Sequence, residues 1–272
     1  MNGLLDFTDR LIVITGGGGV LCRTLGAAFA EAGARIALLD INEAAASEAA
    51  GTIIDSGHAA IAVQCDVLDV ESLKRAARQV REELGSPDAL INGAGGNKAE
   101  ATASEQVSFF DLPAAALRSV FDLNVLGTFL PTQVFGKQMA EREQGAILNI
   151  SSMNAFRPLT GIPAYSAAKA AVSNFTQWLA VHMCQHCSPR IRVNAIAPGF
   201  FLTEQNRFLL TDERAGGLTP RGETILSHTP MGRFGEPHDL VGTALWLLSD
   251  AAAFVTGVVV PVDGGFSAYS GV

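Results

Sequence analysis

Tyr165 and Lys169 stand four residues apart in Ala164-Tyr165-Ser166-Ala167-Ala168-Lys169, inside a stretch that reads as helix. That spacing sets a phenol and an ammonium on one helical face. A phenol titrates near pH ~10 and is a poor base at neutrality. A neighbouring cation favours the phenolate and eases removal of its proton. Ser152 follows the apolar run Ala146-Ile147-Leu148-Asn149-Ile150, which as a strand would deliver its hydroxyl to a sheet edge. The three groups are suited to holding a carbonyl or hydroxyl oxygen and moving its proton while a second agent moves a hydride.

These groups need a scaffold. At 272 residues and 48% hydrophobic, the chain can bury a large core, and its length suits one α/β domain spanning 1–272. Strand candidates are Leu11–Thr15, Ile36–Asp40, Ala60–Gln64, Ala89–Asn92, Ile147–Ser151, Arg192–Ala197 and Val258–Val262. Helix candidates fall between them at 20–32, 43–56, 70–84, 114–141, 163–187, 205–215 and 237–249. Alternation of apolar strands with amphipathic helices predicts a doubly wound parallel sheet covered by helices. Two connections are longer than such a fold needs: a candidate substrate loop at 93–112 and a candidate lid at 200–233. Both follow strands and would overhang the carboxyl edge of the sheet, where ligands bind.

Composition narrows the partners. A formal net charge of −8 disfavours nucleic acid, which selects a basic face. No apolar run reaches the length of a membrane span. The opening Met1 to Arg10 carries Asp6 and Asp9 rather than the basic-then-apolar order of a leader, so a cytoplasmic protein is expected. Four cysteines do not suggest a disulfide framework. His182, Cys184, His186 and Cys187 invite a zinc reading, but on a helix Cys184 points away from the histidines, and no metal is expected.

The first strand candidate runs into Thr15-Gly16-Gly17-Gly18-Gly19-Val20-Leu21-Cys22 and then a helix. Glycines let backbone approach a pyrophosphate, and the helix start offers free N–H groups and a favourable dipole. Gly16, Gly18, Gly19, Val20 and Leu21 are the expected contacts. Asp40 ends the second strand, where a carboxylate can accept from both ribose hydroxyls and would repel a 2′-phosphate. Ile41 follows it, and the turn carries no Arg or Lys, so NAD is expected over NADP. The bland alternative is that Asp40 merely caps the next helix. Asp66 and Val67 would meet the adenine, and Asn92, Gly93, Ala94 and Gly95 end the fourth strand with small residues suited to a close cofactor.

Taken in order with Asn124, Ser152, Tyr165, Lys169, Pro198–Gly199 and the closing Val262-Asp263-Gly264-Gly265, this pattern resembles the short-chain dehydrogenase/reductase family over essentially the whole chain. The resemblance implies a single-domain Rossmann-type sheet of about seven strands with helices on both faces. It implies Tyr165 as acid/base, Lys169 binding the nicotinamide ribose and lowering the tyrosine pKa, and Ser152, rather than Ser151, holding the substrate oxygen. It implies Asn124 as support for a proton-relaying water. Pro198, Gly199, Phe201 and Thr203 are implied around the nicotinamide. Three positions depart from the usual pattern: Val20 and Cys22 hold the last two glycine positions of the turn, Gly93 replaces a common second asparagine, and Ala155 replaces a glycine.

The departures, the Gly95-Gly96-Asn97 loop, Ser151 to Pro158, and the run Gly199 to Arg207 are similar to the D-mannonate oxidoreductase (fructuronate reductase) branch of the family. The resemblance implies NAD-linked interconversion of D-fructuronate and D-mannonate in hexuronate catabolism. A sugar acid needs a cation for its carboxylate, and Lys98, Arg157 and Arg207 are nominated, with Asn97, Asn154 and Gln205 for hydroxyls. Alternatives are an NAD-dependent dehydrogenase of another sugar, polyol or hydroxy acid, or a cofactor-binding sensor or scaffold without turnover. The resemblance also implies a homo-oligomer, tetramer or dimer, packed through the helices at 114–141 and 163–187.

Overall fold

The computed structural model describes residues 4–203, 207–212 and 217–271. Every residue of β1 (Leu11–Thr15) is buried, as befits a strand covered on both faces. Beside it lie β2 (Arg35–Asp40), β3 (Ala60–Gln64), β4 (Ala89–Asn92), β5 (Gly145–Ile150) and β6 (Ile191–Pro198). A short antiparallel ribbon, β7 (Thr211–Asp212) with β8 (Gly217–Leu218), stands apart, and β9 (Val259–Val262) completes the main sheet. The seven-stranded order is β3-β2-β1-β4-β5-β6-β9, and all its pairings are parallel. The chain winds outward from β1 to β3 and then returns to β4 beside β1. That reversal opens a crevice at the carboxyl ends of the two central strands.

The helices are α1 (Val20–Glu31), α2 (Glu43–Asp55), α3 (Val70–Glu83), α4 (Ala114–Glu141), α5 (Pro163–His186), the single turn α6 (Arg207–Leu210), α7 (Pro220–Ser227) and α8 (Val241–Leu248). Alternate strand residues feed two cores. Ile12, Ile14, Ile36 and Leu38 pack under α1, α2 and α8, with Phe29, Ile53 and Leu247. Val13, Leu39, Leu90 and Val193 pack under α3, α4 and α5, with Leu73, Phe135 and Leu179. Full burial of each such side chain contributes about 1.5–3 kcal/mol. The molecule is thus a single α/β domain of Rossmann type. No helix among the described residues is long and apolar enough to cross a membrane.

Two helix expectations need correction. The helix expected at 205–215 is, among the described residues, one turn at Arg207–Leu210 followed directly by a strand at Thr211. A helix then restarts at Pro220, where the Thr219 hydroxyl accepts from Gly222 N at 3.1 Å and proline occupies the first turn. Thr-Pro is a strong helix-start signal, and the sequence reading passed over it. The expected helix 237–249 divides into a 3₁₀ turn at Pro237–Leu240 and α8.

Candidate active site

A cleft of about 660 Å³ lies at the crevice. The glycine turn, the ends of β2, β3 and β4, the loop after β5, the start of α5, the end of β6 and the segment beyond it line it. Of the residues expected to meet a dinucleotide, Gly16, Gly19, Val20, Leu21, Asp40, Ile41, Asp66, Val67, Gly93, Ala94, Gly95, Pro198, Gly199, Phe201 and Thr203 are in its lining.

The turn shows why glycine is needed. Gly16 has φ +66°, and a Cβ there would come within 2.9 Å of Ala94 backbone. Gly19 precedes α1 without offering a side-chain cap, so the first N–H groups of a 12-residue helix are left for a ligand. Gly18 is outside the lining: a Cβ on it would lie 2.7 Å from Ala45 Cβ, so its glycine serves the packing of α2. Its N–H donates to Asp40 Oδ2 at 3.0 Å. Asn42, not Asp40, caps α2 by accepting from Ala45 N, which removes the capping explanation for Asp40.

The departures at Cys22 and Gly93 are two halves of one arrangement. A Cβ on Gly93 would overlap the Cys22 sulfur, so the thiol occupies the space that a side chain on Gly93 would need. Burial pushes that thiol up to about 12, and it is neutral at pH 7. Thr15 Oγ1 accepts from Gly93 N and Ala94 N at 3.2 and 3.3 Å, tying β4 to β1 behind the cleft.

Asn92, expected at the cofactor, is absent from the lining. With a period of two along β4, its side chain shares the face of Leu90 and runs beneath α4 and α5. There Asn92 Nδ2 donates to Thr132 Oγ1 at 2.9 Å and to Asn149 Oδ1 at 2.8 Å, and Asn149 Nδ2 donates to Thr176 Oγ1 at 2.9 Å. It is a buried brace between two strands and two helices.

Ser152 and Tyr165 meet on the cleft wall. Ser152, buried at the exit of β5, accepts from Asn154 N at 3.2 Å. The Ser151 hydroxyl is engaged with Ser173 Oγ at 2.7 Å and the Lys169 carbonyl at 3.2 Å, which leaves Ser152 as the serine nearer the chemistry. Pro163 starts α5, which then presents Tyr165 and Lys169 on successive turns. The ammonium sits 5.6 Å from the Tyr165 ring centroid and donates to the Ile150 carbonyl at 2.8 Å. Burial pushes the Lys169 amine down to about 8. Burial also pushes the Tyr165 phenol above its ordinary value, while the Ser152 hydroxyl pulls it down. Desolvation is the larger influence and the Ser152 hydroxyl the opposing one; the lowering expected from Lys169 is not among the causes.

Lys169 and Asn124 lie behind the lining rather than in it. Asn124, fully buried in α4, donates to the Gly96 and Val120 carbonyls at 2.7 Å and accepts from Gly96 N at 3.1 Å. A Cβ on Gly95 would fall 2.7 Å from Asn124 Oδ1 and 3.2 Å from Lys169 Nζ, so Gly95 is the thin cover between these two side chains and the cleft.

On the substrate side, Asn97 and Asn154 line the cleft, while Lys98, Arg157 and Arg207 do not. Arg157 Nε instead donates to the Ser267 carbonyl at 3.1 Å. Gln205 lies outside the described residues. Sequence reasoning missed Arg221, the one cationic side chain among the described lining residues, together with apolar Leu123, Leu159, Ile162, Phe200 and Leu210. The overlooked Thr219-Pro220 helix start was the signal that could have found Arg221.

A family model described as enoyl-(acyl carrier protein) reductase matches residues 21–267. An uncharacterized oxidoreductase of Haemophilus influenzae is 51% identical, over 98% of this chain and 96% of that protein. A crystal structure of a candidate D-mannonate oxidoreductase from Haemophilus influenza, with bound NAD, superposes with a TM-score of 0.92 at 51% identity, covering 98% of each chain. A gluconate 5-dehydrogenase from Burkholderia cenocepacia, in complex with NADP and tartrate, gives a TM-score of 0.86 at 30% identity over 97% of this chain and 98% of that one. With a parallel seven-stranded sheet and a glycine-turn cleft beside a serine, a tyrosine and a lysine, the chain belongs to the short-chain dehydrogenase/reductase family of nicotinamide-dependent oxidoreductases.

Proposed function

We propose that this oxidoreductase interconverts D-fructuronate and D-mannonate with NAD(H), using Tyr165 as its acid and base. The observation that carries the chemistry is the meeting of Ser152 and Tyr165 on one wall of the cleft that the glycine turn and Asp40 also line, with Lys169 buried behind the phenol. The residues suit a dinucleotide. Backbone crowding excludes a side chain at Gly16, a helix start faces the turn, and a carboxylate closes β2. When bound, the nicotinamide supplies the two-electron hydride chemistry.

In reduction, Ser152 and Tyr165 hold the carbonyl oxygen, and Tyr165 gives its proton to that oxygen as the carbon becomes saturated. Lys169 steadies the phenolate, which regains a proton through Lys169 from solvent, by way of a water that Asn124 would support. Oxidation reverses each transfer. Positioned acid/base catalysis of this kind is worth ~10²–10⁴ in rate. Asp40 favours NAD, because its carboxylate would repel a 2′-phosphate and no Arg or Lys lines that end of the cleft among the described residues. The substrate reading is supported by the 51% identical structure described as a candidate D-mannonate oxidoreductase with NAD and by the amides of Asn97 and Asn154 in the lining.

Initial rates with NADH and NADPH over D-fructuronate, D-tagaturonate and neutral ketoses test the proposal. D-fructuronate with NADH should be preferred. Preference for another sugar, polyol or hydroxy acid would move the protein to that substrate, and NADH binding without turnover of any carbonyl would leave a sensor or scaffold. We also propose a homo-oligomer built across α4 and α5, whose outer faces expose Leu126, Trp178 and Val181.

A further inference from the structure

We infer that Arg221 holds the substrate's carboxylate and so selects acids over neutral sugars. This deepens the reading of the substrate as a sugar acid and rests on it. The chain carries a net charge of −8, so its overall field repels an anionic substrate and a local cation must offset that. Three cations nominated from sequence are outside the cleft lining, and one of them, Arg157, is engaged by a backbone carbonyl. Arg221 is in the lining, and among the described residues it makes no ion pair and no side-chain hydrogen bond.

The lining is divided by charge. Its acidic side chains, Asp40 and Asp66, stand at the ends of β2 and β3, on one side of the crevice between β1 and β4. Ser152 follows β5 on the other side, and Arg221 belongs to the segment that follows β6. A sugar with its reacting carbon at Ser152 and Tyr165 would thus lie on the side of the crevice from which the segment carrying Arg221 departs. A guanidinium fork matches a carboxylate with two parallel N–H donors, which gives direction as well as charge.

The local fold holds this arginine in place. A Cβ on the next residue, Gly222, would overlap the Leu210 carbonyl, so only glycine lets α7 settle against α6. Thr219 N donates to that same carbonyl at 3.1 Å, and buried Leu210 and Ile225 anchor the contact. Arg221 itself is exposed, so replacing it should leave the fold intact.

The test compares wild type with Arg221→Gln and Arg221→Lys in the full chain. Readouts are KM and kcat for D-fructuronate and a neutral ketose, and Kd for NADH by nicotinamide fluorescence. For Arg221→Gln, KM for the acid should rise about tenfold or more, equivalent to about 1.4 kcal/mol, with the ketose KM and the NADH Kd within about twofold. Arg221→Lys should recover part of the loss. An equal rise on both substrates, no rise at all, or a weakened NADH Kd with the acid's KM unchanged would overturn the assignment. The last result would give the guanidinium to the cofactor phosphates.

The two readings fail separately. Wild type active on D-fructuronate with an unaffected Arg221→Gln variant sinks the anchor alone. Wild type inactive on D-fructuronate but active on another keto acid, with the variant impaired on that acid, sinks the substrate reading alone. If no acid turns over, binding of D-mannonate to the NADH complex decides. Tighter binding by wild type than by Arg221→Gln supports the anchor, and equal or absent binding removes it.

Discussion

Tyr165 and Lys169 are pulled by burial in a way their spacing does not reveal. Desolvation holds the phenol above its ordinary value, so it is protonated across the neutral range. Under the proposed mechanism, alcohol oxidation, which needs the phenolate, should accelerate as pH rises into the alkaline range, and carbonyl reduction should slow there. Opposite pH profiles for kcat in the two directions are the check. Tyr165→Phe should lower kcat by about 10²–10⁴ while NADH affinity is kept. Near-normal turnover would take the phenol out of the mechanism. Lys169 is a buried cation held at about 8, below its usual 10.5, so its charge opposes folding at neutral pH. Lys169→Met should therefore raise thermal stability at pH 7, on the order of 1–3 kcal/mol, while abolishing activity. Between about 8 and 10.5 the unfolded chain binds the extra proton, so wild type gains stability with pH and the gap should close. A gap unchanged at pH 10 would contradict this.

Between elements, α1 meets the end of β4 through Cys22 and Gly93. Cys22 fills the space beside Gly93, and the Thr15 carbonyl lies 2.8 Å from where a Cβ on Gly93 would be. Gly93→Ala should destabilise by about 1–3 kcal/mol through overpacking. Cys22→Gly should cost about 1 kcal/mol or more through helix propensity and lost packing. The double variant should recover at least about 0.5 kcal/mol of the summed loss, though not all of it, since the Thr15 carbonyl still crowds the new methyl. Denaturant unfolding of the four proteins measures the coupling, and strict additivity would mean that the two departures are unrelated. The seven strands of the main sheet were legible because each is a short, mainly apolar run between helical stretches. The segment after β6 was not, because one helical turn, a ribbon and a capped helix share a composition that reads as a single helix.

At the scale of the molecule, a lone chain leaves large apolar side chains of α5 uncovered. Trp178 and Val181 on α5 are 58% and 56% exposed, and Trp178 stacks with Phe175 and His182 in a row that continues to Phe129 and His186. A surface of this kind is ordinarily buried by association. Sedimentation should give a mass of at least two chains, and Trp178→Glu should reduce it. A monomeric wild type would refute the proposed assembly.

The chain alone determined which groups could do chemistry and the order of the elements, because hydrophobic period, glycine punctuation and strand-end carboxylates are local signals. It could not tell that Asn92 turns inward, that Gly18 serves a helix, or that Lys98, Arg157 and Arg207 miss the cleft. Those outcomes depend on which side of a pleat or turn a residue falls. They depend equally on how distant segments close against each other, as Gly222 does against Leu210 to bring Arg221 to the cleft. Only packing in three dimensions settles such choices, since the local sequence is compatible with either outcome.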